Sequence, residues 1–436
     1  MNTEELHKIY LQHPVITTDT RKITQGSLFF ALKGENFDAN TFATKAVEAG
    51  AAYAVIDNAK YKAGSGYILV DDVLIALQDL ARHHRRQLSI PVVGLTGTNG
   101  KTTTKELINA VLSEQFNTLA TQGNLNNHIG VPLTILNINA SHQAAVIEMG
   151  ANHVGEIALL SSISQPTHGL ITNVGKAHLE GFGSLEGVKI AKGELYDFLS
   201  ANNQQAFINS NNPILMEMQA ARKFKTSPVF YGDAIDDLVS GEITGNAPYL
   251  SLNWTNNTSG ESYAVSTQLT GAYNLDNILA AICIGVQFKL SAEQINKGIA
   301  NYQPKNNRSQ VVKTANNTLI CDYYNANPTS MAAAIGNMGE LTADHKALIL
   351  RDMFELGTEA ATEHKAILEK ALQTPVDRRI IIGKEFFKLK ADDLPVEFYE
   401  TRDDAATSLK EQPITNSTIL IKGSRGMALE KLVELF

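Results

Sequence analysis

A chain of 436 residues, 44% hydrophobic and 19% charged, has room for roughly three domains of about 150 residues, each with its own core. Its net charge of −8, with no basic stripe, argues against a nucleic-acid-binding body and requires local cations or a metal to hold any anionic ligand. The apolar runs around 133–136 and 347–350 are strand-sized, far below the roughly 20 residues that span a bilayer, so no membrane insertion is expected.

The start, "MNTEELHKIYLQH", has no basic segment followed by an apolar stretch, so no secretory leader is expected. Residues 1–83 form a first block, with strands in "GSLFFAL" and "AAYAVID" and an amphipathic helix "TFATKAVEAG" between them. The segment "IALQDLARHHRRQLSI" reads as a helix leading into a second block, 84–305, whose first strand is "PVVGLTG". There the strands "AAVIEMG", "HGLITNVG" and "QAFINS" alternate with helical stretches, the pattern of a mostly parallel sheet with helices on its faces. "NWTNNTSGESYA" reads as a hairpin or loop insertion and "GAYNLDNILAAICIGVQF" as a buried helix. A third block, 306–436, strings together "TLICDYY", "KALILRDM", "RRIIIGKEF" and "STILIKGS", a second, smaller doubly wound unit. The class is α/β: a small N-terminal α/β domain, a central domain with a mostly parallel sheet of P-loop type and a Rossmann-like C-terminal domain. Cys283 and Cys321 lack metal-ligand spacing; both are expected in the core of a cytoplasmic protein.

The chemistry concentrates in "GLTGTNGKTTTKE", positions 94–106, straight after the apolar run "SIPVV". Glycines let successive amide N–H groups point inward, and a helix over 102–114 presents its positive end to an anion. The common phosphate loop would place Gly at 95, where Leu95 stands; only Gly97 and Gly100 frame this turn. Gly97, Thr98, Asn99, Gly100 and Thr103 would wrap phosphates, Lys101 would add a charge, and Thr102 is placed for Mg²⁺. Glu148 ends a second strand at the same sheet edge, where a carboxylate can hold a cation. A third strand delivers Asn173 and His178; a His ligand would let Mn²⁺ compete with Mg²⁺. Lys192 lies on an expected helix one turn after Lys189, and pattern alone leaves it facing solvent.

Taken together, these motifs resemble the Mur ligases, the ATP-dependent amino-acid ligases of peptidoglycan synthesis. The resemblance runs essentially end to end: "TTDTRKITQGSLFFALKGENFDANTF", "GTNGKTTTKEL", "GNLNNHIGVPLTIL", "IEMGANHVGEI", "ITNVGKAHLEGFGSLEGVKIAKGEL", "GAYNLDNILAA", "DYYNANPTSM", "DMFELG" and "LIKGSRGMALEKLVE". It implies that Lys101 and the loop amides hold ATP phosphates, that Thr102 and Glu148 bind one Mg²⁺ and His178 a second, and that Lys192 is carbamylated by CO₂ into a carboxylate-like metal ligand. It implies Asn274 and Asn277 beside the adenine, and Arg308 and Asp322 reaching back to phosphates and ribose. The motifs "GNLNNHIGVPLT" and "YNANPTSM" imply the substrates UDP-MurNAc-tripeptide and D-alanyl-D-alanine. Thr20 and Arg21 would meet the UDP end, Asn124 and Asn127 the peptide, and Asn325 and Asn327 the dipeptide; as residues alone, these asparagines equally suit turns. The expected reaction passes through an acyl phosphate, in a monomer whose third domain closes over the second.

Two positions depart from the family pattern. Asn40 stands where His is common in Asp-Gly-His-x-Phe, and Arg351 stands where a Gly is usual, at a strand end expected to face the dipeptide. Two competing functions share the loop. One is another ligase of the same superfamily, a different Mur ligase or a folylpolyglutamate synthase. The other is an ATP-gated switch or motor, which would want an Asn-Lys-x-Asp motif or an Asp-x-x-Gly where Glu148 stands.

Overall fold

Burial on both faces decides the central sheet. Strand Val92–Thr96 has all five residues buried and is flanked by parallel neighbours, so it reads as a continuous apolar run. Leu95, the residue in place of the missing Gly, packs into the core with Leu107 and Ile108 of helix Lys101–Leu112. Burying such a side chain stabilises by about 1.5–3 kcal/mol, and the phosphate turn begins two residues later, at Gly97.

The computed structural model describes residues 1–305, 307–424 and 429–436 and arranges them in three α/β units. The first holds a parallel four-stranded sheet in the order Ile16–Thr17, Leu28–Phe30, Tyr53–Ile56, Tyr67–Leu69. An antiparallel ribbon, Lys33–Gly34 with Phe37–Asp38, stands beside it. The central sheet has nine strands; Val92–Thr96 lies between Ala144–Glu148 and His168–Ile171. Its far end is an antiparallel meander, Val239–Asn246, Leu250–Asn256 and Glu261–Ser266, so the polar stretch around Trp254 is a hairpin. The third sheet has six strands, and Ser417–Lys422 sits between Asn317–Asp322 and Lys346–Arg351, all parallel. Asn306 and residues 425–428, at the start and near the end of the expected third block, lie outside the described residues.

Two details refine the expected organisation. The apolar run at 133–136 belongs to helix Gly130–Leu136, not to a strand. Asn127 Oδ1 accepts from the N–H groups of Ile129 and Gly130 and turns the chain into that helix. The expected division at residue 83 falls inside helix Val73–Arg86. That helix is bolted to the central unit: Arg85, buried, donates to the carbonyls of Ser164 and Gln165, and Gln78 to that of His128. Cys283 and Cys321 are buried free thiols, as expected. Among the described residues no helix is long and apolar enough to cross a membrane.

Candidate active site

The carboxyl ends of the central and C-terminal sheets face each other across one cavity of about 900 Å³, lined from both sides. On the central side, Gly97 (φ 146) and Gly100 (φ 78) open the turn. A Cβ on Gly97 would lie 2.0 Å from Thr172 Oγ1, and one on Gly100 2.5 Å from Asn277 Oδ1, so neither position accepts another residue. Asn173 clamps the loop from the next strand, accepting from Asn99 N–H (2.9 Å) and donating to Asn99 O (3.1 Å). Thr172 Oγ1 donates to the same carbonyl. The Asn pair expected beside adenine forms a buried chain: Thr104 Oγ1 donates to Asn277 Oδ1, Asn277 to Asn274, and Asn274 to Thr270 O. Both asparagines still line the cavity, but much of their polarity goes to fixing the phosphate-loop helix.

Lys101 Nζ donates to the carbonyls of Gly97 (2.7 Å) and Thr98 (2.9 Å) at the base of the turn. Burial pulls its pKa down to about 8, Glu148 opposing and Arg308 reinforcing the shift. It stays mostly cationic at neutral pH, and an arriving phosphate would strengthen that. Glu148 is 1% exposed. Its Oε1 accepts from Thr102 Oγ1 (3.2 Å) and Asn126 Nδ2 (2.9 Å), while Oε2 is buried with no hydrogen-bond partner among the described residues. An unpartnered buried carboxylate oxygen costs about 1–3 kcal/mol, and a hard cation is the partner it fits. No cage of three or more His, Cys, Asp or Glu stands ready among the described residues.

Lys192, left facing solvent by pattern, is 1% exposed on helix Leu185–Ala201. Its Nζ lies 5.0 Å from the Phe182 ring centroid and donates to Ala151 O at 3.3 Å. Burial, then Lys101, brings its pKa down to about 7, which favours the neutral amine. His178 holds a left-handed backbone (φ 50) and pairs through Nδ1 with Glu355 of the C-terminal unit. Burial lowers its pKa, with Glu355 working against that.

The C-terminal unit supplies the other wall. Arg308 lines the cavity with its guanidinium 3.8 Å from the Tyr324 ring centroid. Asp322 pairs with buried Lys422 (2.6 Å) and accepts from Ser309 N–H, and Ser309 meets Tyr273 of the central unit at 2.8 Å. Asn327 caps helix Pro328–Glu340 by accepting from Ser330 N–H, and its amide donates to Asn99 Oδ1 at 2.8 Å. Its side chain is therefore committed to a cap and to the facing loop, whereas Asn325 is exposed on the cavity wall. Three further contacts bridge the units: Lys176–Glu363 (2.6 Å), Asn246–Asn337 (3.0 Å) and Gly175 against Thr329.

Asn124 and Asn127 line the same cavity, but Asn126, between them, makes the contact to Glu148; three asparagines in one motif gave no signal to choose among them. Glu355 and Lys422 were also missed, since each acts through a partner distant in sequence. Thr20 and Arg21 are not among the lining residues. They form a 3-10 turn in the first unit, where Arg21 pairs with Asp19 on the surface. Asn40 is fully buried and bridges Asp38 and Asp57, so at the departing position its amide braces the ribbon. Arg351 is 6% exposed and outside the cavity lining. Strand alternation puts it with Ala347 and Ile349 on the face covered by helix Arg402–Glu411, away from the expected dipeptide.

A phosphate turn, a buried carboxylate with a free oxygen and an arginine facing them from a second sheet define an ATP-using ligase cleft. Three family descriptions match in order: "Mur ligase family, catalytic domain" over 14–85, "Mur ligase middle domain" over 95–285 and "Mur ligase, glutamate ligase domain" over 307–425. The UDP-N-acetylmuramoyl-tripeptide--D-alanyl-D-alanine ligase of Escherichia coli K12 is 38% identical over 427 residues, 96% of this chain and 92% of that one. A crystal structure of MurF from Acinetobacter baumannii superposes with a TM-score of 0.87 at 31% identity, covering 96% of this chain and 92% of that one. MurF from Thermotoga maritima in complex with ADP gives 0.86 at 25% identity, covering 97% and 96%. This chain belongs to the Mur ligase family.

Proposed function

We infer that the chain is an ATP-dependent ligase that joins D-alanyl-D-alanine to UDP-MurNAc-tripeptide, yielding the pentapeptide, ADP and phosphate. The observation that carries this reading is the opposition of Lys101 and Arg308 across one cavity, at the carboxyl edges of two sheets. In the first step the tripeptide carboxylate attacks the γ-phosphorus, forming an acyl phosphate and releasing ADP. Two anions must meet, so Lys101, Arg308 and the amides of helix Lys101–Leu112 supply the neutralising field. The amine of the dipeptide then attacks the acyl carbonyl; the C–N bond forms, phosphate leaves and the amine gives up a proton. Holding the reactants in attack geometry can contribute about 7–11 kcal/mol, and docking of the C-terminal unit excludes water from the acyl phosphate.

Thr102 and Glu148 would hold one Mg²⁺ and His178 a second cation, its nitrogen also accommodating Mn²⁺; the cations' part is to neutralise phosphate charge. Lys192 is the candidate for carbamylation: the ammonium first loses a proton, the neutral amine adds to CO₂ and a second proton leaves, so a buried cation becomes an anion. Asn274 and Asn277 would sit beside the adenine and Asp322 would reach the ribose. Thr20 and Arg21 would take the UDP end, in a first block 1–83 that precedes an ATP block 84–305 and a dipeptide block 306–436. Asn124 and Asn127 would meet the peptide; Asn325, with Asn327 behind it, the dipeptide. We take the chain to work as a monomer in the cytoplasm, where ATP and UDP-linked substrates are available.

The test is incubation with ATP, UDP-MurNAc-tripeptide and one amine at a time, following phosphate release and product mass. Pentapeptide with D-alanyl-D-alanine is expected. Phosphate release with L-amino acids but not with the dipeptide would overturn the reading.

A further inference from the structure

Two residues with left-handed backbone face each other across the cleft: His178 (φ 50) on the central unit and Glu355 (φ 60) on the C-terminal one. Such conformations are unfavourable for residues other than glycine and persist where the surroundings hold them. His178 Nδ1 is in ion-pair contact with Glu355 Oε2 and makes no hydrogen bond among the described residues. The contact is not a lone surface pair, which would contribute little at the 54% exposure of the Glu355 side chain. Glu180 N–H reaches Glu355 O at 3.5 Å, Gly357 runs alongside Glu180, and Lys176–Glu363 closes the same seam at 2.6 Å. The segment 175–180 is thus docked along 355–363.

Occupying Nδ1 has a chemical consequence. A carboxylate on one ring nitrogen fixes the tautomer and the ring plane, and leaves the lone pair of the other nitrogen for a ligand. We propose that Glu355 is a positioning residue: from the C-terminal unit it holds His178 Nδ1, so that Nε2 is presented to a divalent cation in the cleft. The nitrogen ligand is then in place only while the two units are docked, which ties cation binding to assembly of the site. This rests on the reading of the cleft as an ATP and divalent-cation site.

The test is Mn²⁺ binding to the full chain with a non-hydrolysable ATP analogue, followed by the electron paramagnetic resonance of free Mn²⁺. Glu355→Ala is expected to weaken binding at one site by about 10–100-fold. Glu355→Gln, which keeps a side-chain oxygen beside Nδ1, should recover most of that loss. In a His178→Ala background Glu355→Ala should add nothing. Should Glu355→Ala misfold by circular dichroism, Glu355→Met, similar in length but without a carboxylate oxygen, replaces it. Unchanged Mn²⁺ affinity, or an equal loss without His178, overturns the role of Glu355. Failure of the wild-type chain to bind Mn²⁺ at all overturns the reading of the cleft itself.

Discussion

The two walls of the cleft are built on different terms. The central wall is locked before any ligand arrives: Asn173, Thr172 and Asn277 close on the phosphate turn through short bonds, and its glycines have no room for a side chain. Among the described residues the C-terminal wall meets it mainly through side-chain contacts, Asn327–Asn99, Ser309–Tyr273, His178–Glu355, Lys176–Glu363 and Asn246–Asn337 among them. A wall satisfied internally reorganises little when charge develops on it, which is what stabilising a phosphoryl transition state requires. A wall joined mainly by side-chain contacts can part to admit three substrates and return. The division of labour is electrostatic preorganisation on one side and assembly on the other.

The largest expected effect strikes the fixed wall. Lys101→Ala removes the cation where two anions meet and should lower kcat by about 10²–10³-fold or more, while circular dichroism shows an intact fold. Near-normal turnover would remove the loop from the mechanism. Lys192→Ala, behind that wall, should cost about 10–100-fold and be partly restored by acetate or propionate; activity indifferent to added carboxylates would argue against a carbamate. On the docked wall, Asn327→Ala deletes a helix cap worth about 1 kcal/mol and the bond to Asn99. It should raise KM for the dipeptide several-fold and leave ATP affinity, measured by calorimetry, near wild type. A matching loss of ATP affinity would show that the walls are not independent.

The smallest effect is expected away from both walls, at the joint between the first and central units. His7 and His84 meet at 3.3 Å, and His84 Nε2 reaches Ile138 O at 2.8 Å. Burial holds both below the ordinary histidine pKa, with His83 adding to it. The unfolded chain takes up protons as pH falls through about 6.5 while the folded chain resists. Stability is therefore full above that pH and declines below it. The melting temperature should fall by about 1–2 °C more between pH 7 and 5.5 in the wild type than in His84→Gln, with no change in KM at pH 7.5. An identical pH slope in the two would exclude the pair.

The central wall was legible in the sequence because its signals are local. Gly97, Gly100 and Lys101 lie within one strand–turn–helix, and Glu148 and His178 follow strands whose apolar runs announce a parallel sheet. The docked wall was less legible. Glu355 follows a strand end like many acidic residues, and its partner is 177 positions away in sequence. Asn327 offered a turn residue or a ligand, and the structure makes it a cap that also reaches Asn99. Arg351 offered a carboxylate contact or an outward-pointing side chain, and its strand's alternation sets it on the face shared with Ala347 and Ile349.

By itself the sequence determined the α/β class, the place of the phosphate turn and the cations and carboxylates around it. Periodicity and glycine placement are local constraints on backbone and burial, and they survive without knowledge of neighbours. Only the tertiary structure decided that Lys192 is buried, that Glu148 keeps one oxygen unpartnered among the described residues, and that His178 meets a carboxylate from another unit. Those properties are desolvation and pairing, and both depend on which distant segments are brought within a few ångströms.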